Sequence, residues 1–585
     1  LLLFISDQYF VLLVLRANFG WFQTRTTIYK GRCRMQQNKI LVLVGVFLAI
    51  FLSALDQTIV ATAAPQIVND LLGMSLFSWI FVAYMLASTI AVPIYGKLSD
   101  LYGRRGLFVM GISIFLFGSI LCGYAASMMQ LIIFRALQGL GAGAMMVNAL
   151  AIIGDVFPPA ERGKWQGLIG GVFGLASITG PFLGGWITDQ LSWRWIFFVN
   201  IPVGILAIFI SWRSMPRVRR QTKASIDFVG AMLFVVGIIP LLLVFIFGGS
   251  QYPWLSYEIC LLMGIALVAL ALFVMVELRA VDPMISFSLF KNRVFAMAIG
   301  STFFVQMGMF GAVLYVPIFA QSVIGITATS SGIILMPLMM ASVLASAISG
   351  QIISRTGKYK TLAIVGVTLF ALGNLSFSFI GLSTTQFGLV LRMIFLGLGM
   401  GVTMPLFPIV IQNAFGKSKL GQVTATMQLF RHIGATVGTA ILGGVMNSQL
   451  AARLSLLSTD PFVLAAKHLG AGGSLEHITG NTIRNLLSPE GLHQMEACIA
   501  QAPGDMQERL HTCFSQFVIT LKSAFSSSVG ILFFVCMLFM VGALCFLFFL
   551  PEVSLRQHEQ SVLEQAGKEL EAHLGQSDKH NEPLL

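Results

Sequence analysis

Gly96-Lys97-Leu98-Ser99-Asp100-Leu101-Tyr102-Gly103-Arg104-Arg105-Gly106 is a glycine-flanked, basic turn set between two apolar spans. Lysine and arginine are retained on the cytoplasmic side of a membrane, so a short positive hinge between two helices orients the chain. Lys97, Arg104 and Arg105 therefore place this turn inside. Asp100, in their midst, can pair with an arginine or cap a neighbouring helix N-terminus, where unsatisfied N–H groups carry partial positive charge.

The chain around the turn reads as membrane protein throughout. Its 585 residues are 56% hydrophobic and 10% charged, whereas soluble domains carry about 25% charged residues. Apolar runs long enough for a bilayer fall near 40–67, 77–98, 107–126, 131–153, 165–187, 194–212, 227–248, 256–276, 294–321, 329–353, 361–380, 387–414, 420–447 and 527–550. That makes fourteen spans, and an all-α membrane protein. The net charge of +12 would suit a nucleic-acid partner in a soluble protein. Here the basic residues sit in short loops and set topology, so no nucleic acid is expected.

The loop charges test the span map. Alternate breaks carry Lys97, Arg104 and Arg105; Arg162 and Lys164; Arg213 to Lys223; Arg279, Lys291 and Arg293; Arg355, Lys358 and Lys360; and Lys417 and Lys419. The intervening breaks near 127–130, 188–193, 249–255, 322–328 and 381–386 hold no lysine or arginine. Both termini are therefore expected in the cytoplasm.

The chain also echoes itself. Arg135-Ala136-Leu137-Gln138-Gly139-Leu140-Gly141 returns, with one residue inserted, at Arg392-Met393-Ile394-Phe395-Leu396-Gly397-Leu398-Gly399, and the basic turn has a weaker copy from Gly350 to Lys358. A duplicated pair of lobes follows, as in transporters built from repeats. The expected division is an N-terminal extension (1–38), a six-helix lobe (39–212), a linker with two extra spans (213–293), a second lobe (294–550) with a long outer loop (448–526), and a cytoplasmic tail (551–585). Met35 reads as the start, and the residues before it as an extension.

Charge inside a bilayer is costly and marks function by default. Asp56 falls about 25 Å along the first span at ~1.5 Å per residue, and Arg135 enters its own span from the opposite side, which puts the two at similar depth. A carboxylate holds its proton more tightly when desolvated and less tightly beside a guanidinium. A change in their separation would therefore load and unload a proton. The plainer reading is a structural pair that never titrates. Arg392 mirrors Arg135 without a matching acid in its half, and Arg431 and His432 lie near mid-depth of the span from Leu420. Arg431 suits an anionic group or a backbone carbonyl; a histidine there is more often a packed, hydrogen-bonded core residue.

Gln57, Tyr84, Asn148, Gln306, Phe310, Tyr315, Gln412, Asn413 and Arg431 are candidate cavity residues, because isolated amides and aromatics suit a permissive apolar site. The fifth span carries Gly167, Gly171, Gly180, Pro181, Gly184 and Gly185, small residues that let helices approach closely. The lobes are expected to rock about this helix and a counterpart near Gly434–Gly444. The seven cysteines show no metal-ligand spacing, and neither metal nor cofactor is expected. Cys498 and Cys513 share one polar outer segment, where a disulfide and two free thiols are both open readings. No catalytic triad or carboxylate pair is found, so an enzyme is not expected.

These strings resemble the major facilitator superfamily, and within it the fourteen-helix EmrB/QacA-type drug:proton antiporters. Gly96–Arg105 resembles the superfamily's signature loop, Arg135–Gly143 its proton-coupling arginine motif, and Gly180–Gly185 the antiporter motif of the fifth helix. Leu55–Pro65 and Trp193–Gly204 resemble strings of the fourteen-helix branch. The resemblance implies two six-helix lobes plus two extra central helices. It further implies coupling by Asp56 and Arg135, a gate formed by Gly96, Asp100, Gly103, Arg104, Arg105 and Asp155, and antiport enforced by the fifth helix. Asp155 would pair with Arg104 or Arg105. The expected function is proton-coupled export of amphipathic drugs by alternating access across a bacterial inner membrane, with membrane lipids, protons and substrates as partners. The outer loop is read as shielding the mouth or docking a periplasmic adaptor and outer-membrane channel. Export of lipids, siderophores or metabolites on the same scaffold, and a non-transporting scaffold or sensor, are the other readings.

Overall fold

The computed structural model describes residues 39–552, apart from 65, 69, 72–75, 77–78, 216–226, 250, 281, 326–334, 416–418, 455–495, 497–498 and 500–503. The extension, the tail, most of the outer loop and Cys498 thus lie outside the described residues, as does the side chain of Phe310.

Without water, backbone N–H and C=O groups must pair within a segment, which leaves the helix as the default for isolated apolar runs. The chain forms α1 (Lys39–Ala64), α2 (Trp79–Tyr102), α3 (Arg104–Gly123), α4 (Met128–Val156), α5 (Pro159–Gln190), α6 (Trp195–Ser214), α7 (Phe228–Phe247) and α8 (Tyr257–Arg279). It continues with α9 (Arg293–Phe319), α10 (Met336–Thr356), α11 (Lys360–Ser378), α12 (Gln386–Asn413), α13 (Leu420–Leu454) and α14 (Gly504–Phe548). Among the described residues, 13 helices are long and apolar enough to cross a membrane. The 27-residue α9 completes the fourteen that the loop charges anticipate. This is a multi-pass membrane protein.

Local chemistry sets the breaks. Gly103 takes φ 90°, a left-handed conformation that side chains resist, and so divides α2 from α3 within the basic turn. Ser127 starts α4 by accepting the N–H of Gln130, and Pro159 opens α5 where a missing N–H costs nothing. Gly357, at φ 69°, ends α10 in the same way that Gly103 ends α2.

In the first lobe α4 packs on α2 and α3; in the second, α12 packs on α10 and α11 in the same arrangement. The lobes meet through two seams, α5 against α10 and α2 against α13. Each seam thus joins the fifth helix of one lobe to the second helix of the other. At both, glycine brings backbones together: a Cβ on Gly350 would strike the Gly163 carbonyl, and one on Gly96 would strike Ala425. Gly434 and Gly438, expected as the counterpart pivot, instead meet Phe303 and Met307 of α9 in their own lobe. Across the second seam lie the extra helices: Phe234, Ile238 and Leu242 of α7 pack with Val82 and Leu86 of α2 and Leu429 of α13.

The largest departure from the expected spans is at the outer loop. The last helix begins at Gly504 rather than near 527 and is 45 residues long, about 68 Å at helical rise. Only about 30 Å of that can lie in hydrocarbon. Its projecting part buries Phe514, Phe517 and Leu521 in one cluster with Met446 and Leu450 of α13.

Candidate functional site

Asp56 lies mid-helix in α1 with 0% exposure, and Arg135 of α4 is 1% exposed. Arg135 Nη1 donates to Asp56 Oδ2 at 2.6 Å. The other carboxylate oxygen accepts from Gln138 Nε2 at 2.8 Å and Asn200 Nδ2 at 3.3 Å. Three donors from α4 and α6 therefore converge on one acid of α1. The arginine is held from behind as well: its Nε donates to the Ile80 carbonyl at 3.3 Å, and its guanidinium lies 4.4 Å from the centre of the Tyr84 ring. Tyr84 Oη in turn lies 3.3 Å from Ser53 Oγ. Asn200 also donates to Ser119 Oγ at 3.0 Å, and that hydroxyl donates to the Phe197 carbonyl at 2.8 Å.

This geometry accommodates an ionised carboxylate, since donors and no acceptors reach it. It also ties separation to protonation. Pulling Arg135 away would strand a buried charge at a cost of about 3–5 kcal/mol, unless a proton or water replaces the guanidinium. Gln138 and Asn200 had not been singled out. Gln138 stands three residues beyond Arg135, hence on the same helix face, and Asn200 is a lone amide in an apolar span; those were the available signals. Asp56, at the depth of Arg135 as the sequence implies, is sealed among four helices.

The fifth-helix motif divides between two partners. Gly167 meets Ser346 and Gly171 meets Val343, both on α10 across the seam. Gly180 and Gly184 instead press on Thr58 and Ile59 of α1, just beyond Asp56, and Thr58 Oγ1 donates to the Ala176 carbonyl at 3.2 Å. Pro181 is exposed, and a Cβ at Gly185 would find open space.

At the end of the bundle that bears the basic turn, Arg104 bonds Asp155 Oδ2 at 2.7 Å, Asp100 Oδ1 at 2.7 Å and Ser99 Oγ at 2.6 Å. Asp100 in turn accepts the N–H groups of Gly421 at 3.1 Å and Gln422 at 2.9 Å, in the first turn of α13. One carboxylate thus pairs with an arginine of its own lobe and caps a helix of the other. Arg105 turns the other way, to the Met215 carbonyl at 3.3 Å and the Trp212 ring at 4.6 Å. Gln412 and Asn413 join the same inter-lobe layer: Gln166 donates to Gln412 Oε1 at 2.8 Å and Arg162 to Asn413 Oδ1 at 2.7 Å. His432 Nδ1 lies 2.9 Å from Thr89 Oγ1, nearer the middle of the α2–α13 seam.

Arg431 borders two small cavities, one of about 20 Å³ between the lobes and one of about 10 Å³ inside the second lobe. Gln306 lines the second of them. Gln57 is exposed, Asn148 is fully buried with its amide on the Ala144 carbonyl at 2.8 Å, and Tyr315 is half-buried. Cys513 is a half-buried free thiol.

A family model described as Major Facilitator Superfamily matches residues 46–439. The chain belongs to that superfamily. It is 38% identical over 549 residues to multidrug transporter protein MdtP of Bacillus subtilis, covering 92% of this chain and 98% of the relative. Multidrug resistance protein 3 of Bacillus subtilis is 40% identical over 420 residues, covering 71% and 81%. The crystal structure of the human organic anion transporter MFSD10 (TETRAN) covers 86% of this chain and 99% of its own with a TM-score of 0.54. At 14% identity that likeness is one of fold. Superfamily, fold and the drug-efflux character of the relatives agree with what the sequence strings implied.

Proposed function

We propose that this protein exports amphipathic compounds in exchange for protons, by alternating access between its two lobes. The Asp56–Arg135 pair carries the reading: it is the one carboxylate-guanidinium pair among the described residues in which both side chains are buried to 1% or less. Three donors and no acceptor reach its carboxylate, and a proton on Asp56 would release Arg135 and loosen the contacts among α1, α4 and α6. The relatives named above are multidrug transporters, which supports drugs and other lipophilic compounds as substrates.

Orientation follows from loop charge. The basic turns face the cytoplasm, both termini lie inside, and the inter-lobe layer of Asp100, Arg162, Gln166 and Gln412 closes the cytoplasmic end. On this reading the inner gate is shut. In this state protons reach Asp56 only after α1, α4 or α6 shifts, because the acid has no exposed surface.

Reconstituted protein given an outward-acidic pH gradient tests the reading. Wild type should drive a fluorescent amphipathic substrate against its gradient. Asp56→Asn should lose pH-driven accumulation while substrate exchange across the membrane continues. A variant that still accumulates substrate at the wild-type rate removes Asp56 from coupling.

A further inference from the structure

The buried cations of this bundle are treated unequally. Arg135 is matched by Asp56 and Arg104 by Asp100 and Asp155. The buried Arg162 has no ion pair among the described residues but is met by the Phe157 carbonyl and Asn413 Oδ1, and Arg431 has less. It stands about 17 Å along α13 from Leu420, near the middle of the slab, and among the described residues no carboxylate forms an ion pair with it. Its Nη1 donates to a neutral amide on its own helix, Gln428 Oε1 at 3.0 Å. A charge at that depth costs a few kcal/mol even by the mildest scale.

Position argues that the missing counter-charge is a ligand. Arg431 borders both small cavities, one between the lobes and one inside the second lobe. The first is walled by Met146, Leu150 and Gln166 of the first lobe and by Met404 and Pro408 of the second, the other by Thr302, Gln306 and Thr403 of the second lobe. Each holds about one water as the lobes now stand, far below the few hundred Å³ of a ligand site. Because one cavity lies between the lobes and has Arg431 in its wall, separation of the lobes would widen it around the guanidinium. The widened wall would be apolar, with methionines, phenylalanine and an amide.

We infer that Arg431 is the anchor for an anionic head group, so that this transporter takes amphipathic anions, carboxylates above all, with their apolar part on the surrounding methionine and phenylalanine wall. A planar guanidinium binds a carboxylate through two parallel N–H bonds. The inference rests on the export reading and narrows its substrate class.

Binding separates the two ideas. Dansylamino-undecanoate and its methyl ester differ in charge at one end only, and both can be titrated into full-length protein in lipid nanodiscs, with empty nanodiscs as background. Wild type should favour the carboxylate. Arg431→Gln should weaken the carboxylate by about tenfold to a hundredfold and leave the ester within about twofold. Arg431→Lys, which keeps charge but loses the planar fork, should fall between. Equal loss of both probes would reduce Arg431 to a packing residue, and unchanged carboxylate binding would dismiss the anchor outright. Failure of wild type to move either probe in a pH gradient, with the binding difference intact, would overturn export and leave the anion site standing.

Discussion

At the scale of single residues, Asp56 is neither exposed nor alone. It is bonded by Arg135, Gln138 and Asn200, so its neighbours have distinct, separable effects. Arg135→Ala should strand the carboxylate and destabilise the protein by about 3–5 kcal/mol. Adding Asp56→Asn to that variant should restore much of the loss, because the orphaned charge is gone. Thermal unfolding of the single and double variants in one detergent checks this; a double variant less stable than the single would contradict it. Gln138→Leu keeps the volume and removes one donor, with an expected cost of about 1–3 kcal/mol. Asp56 and Arg135 were legible in the sequence because charge in an apolar run stands out. Gln138 and Asn200 were not, since a neutral amide in a membrane helix carries no signature of what it bonds. Depth counting placed the pair together but could not foresee that four helices would close over it.

At the scale of elements, helix positions were readable and helix lengths were not. Hydropathy detects the slab, so it found where each helix enters lipid and missed the polar turns of α14 from Gly504 to about residue 526. The seams were half-legible. Glycine density marked α5 as a close-packing helix, but its partner proved to be α10 through Gly163 and Gly350, whereas Gly434 and Gly438 serve their own lobe. The reason is symmetry: fifth packs on second in both directions, and a glycine run does not name its partner. The gate is less symmetric than the seams. Asp100 caps α13, whereas the duplicated turn places Ser354 at the corresponding position. Asp100→Ala should therefore weaken the inner closure by about 1 kcal/mol, the value of a lost cap. A cysteine at Gln412, within the closed layer, should then react about fivefold faster with a membrane-impermeant thiol reagent added from the cytoplasmic side. No change in that rate would mean the cap does not hold the gate.

At the scale of the whole molecule, the proposed exchange requires that the two lobes, the inter-lobe layer and the acid buried in the first lobe act as a linked system. Linkage requires that if substrate and proton exclude one another, each weakens the binding of the other by the same factor. The sign follows: substrate is expected to bind the deprotonated carrier, so affinity should rise with pH. Asp56→Asn should bind substrate with little dependence on pH. The extra helices bridge the seam, with α7 touching both α2 and α13, and must slide or follow one lobe as the other moves. In the proposed exchange, Asp56 gives up its proton when substrate binds. The most direct measurement adds substrate to concentrated, purified protein in weakly buffered medium and reads the pH change. Wild type should release up to about one proton per substrate bound, and Asp56→Asn should release none. Equal release by both proteins would contradict the account.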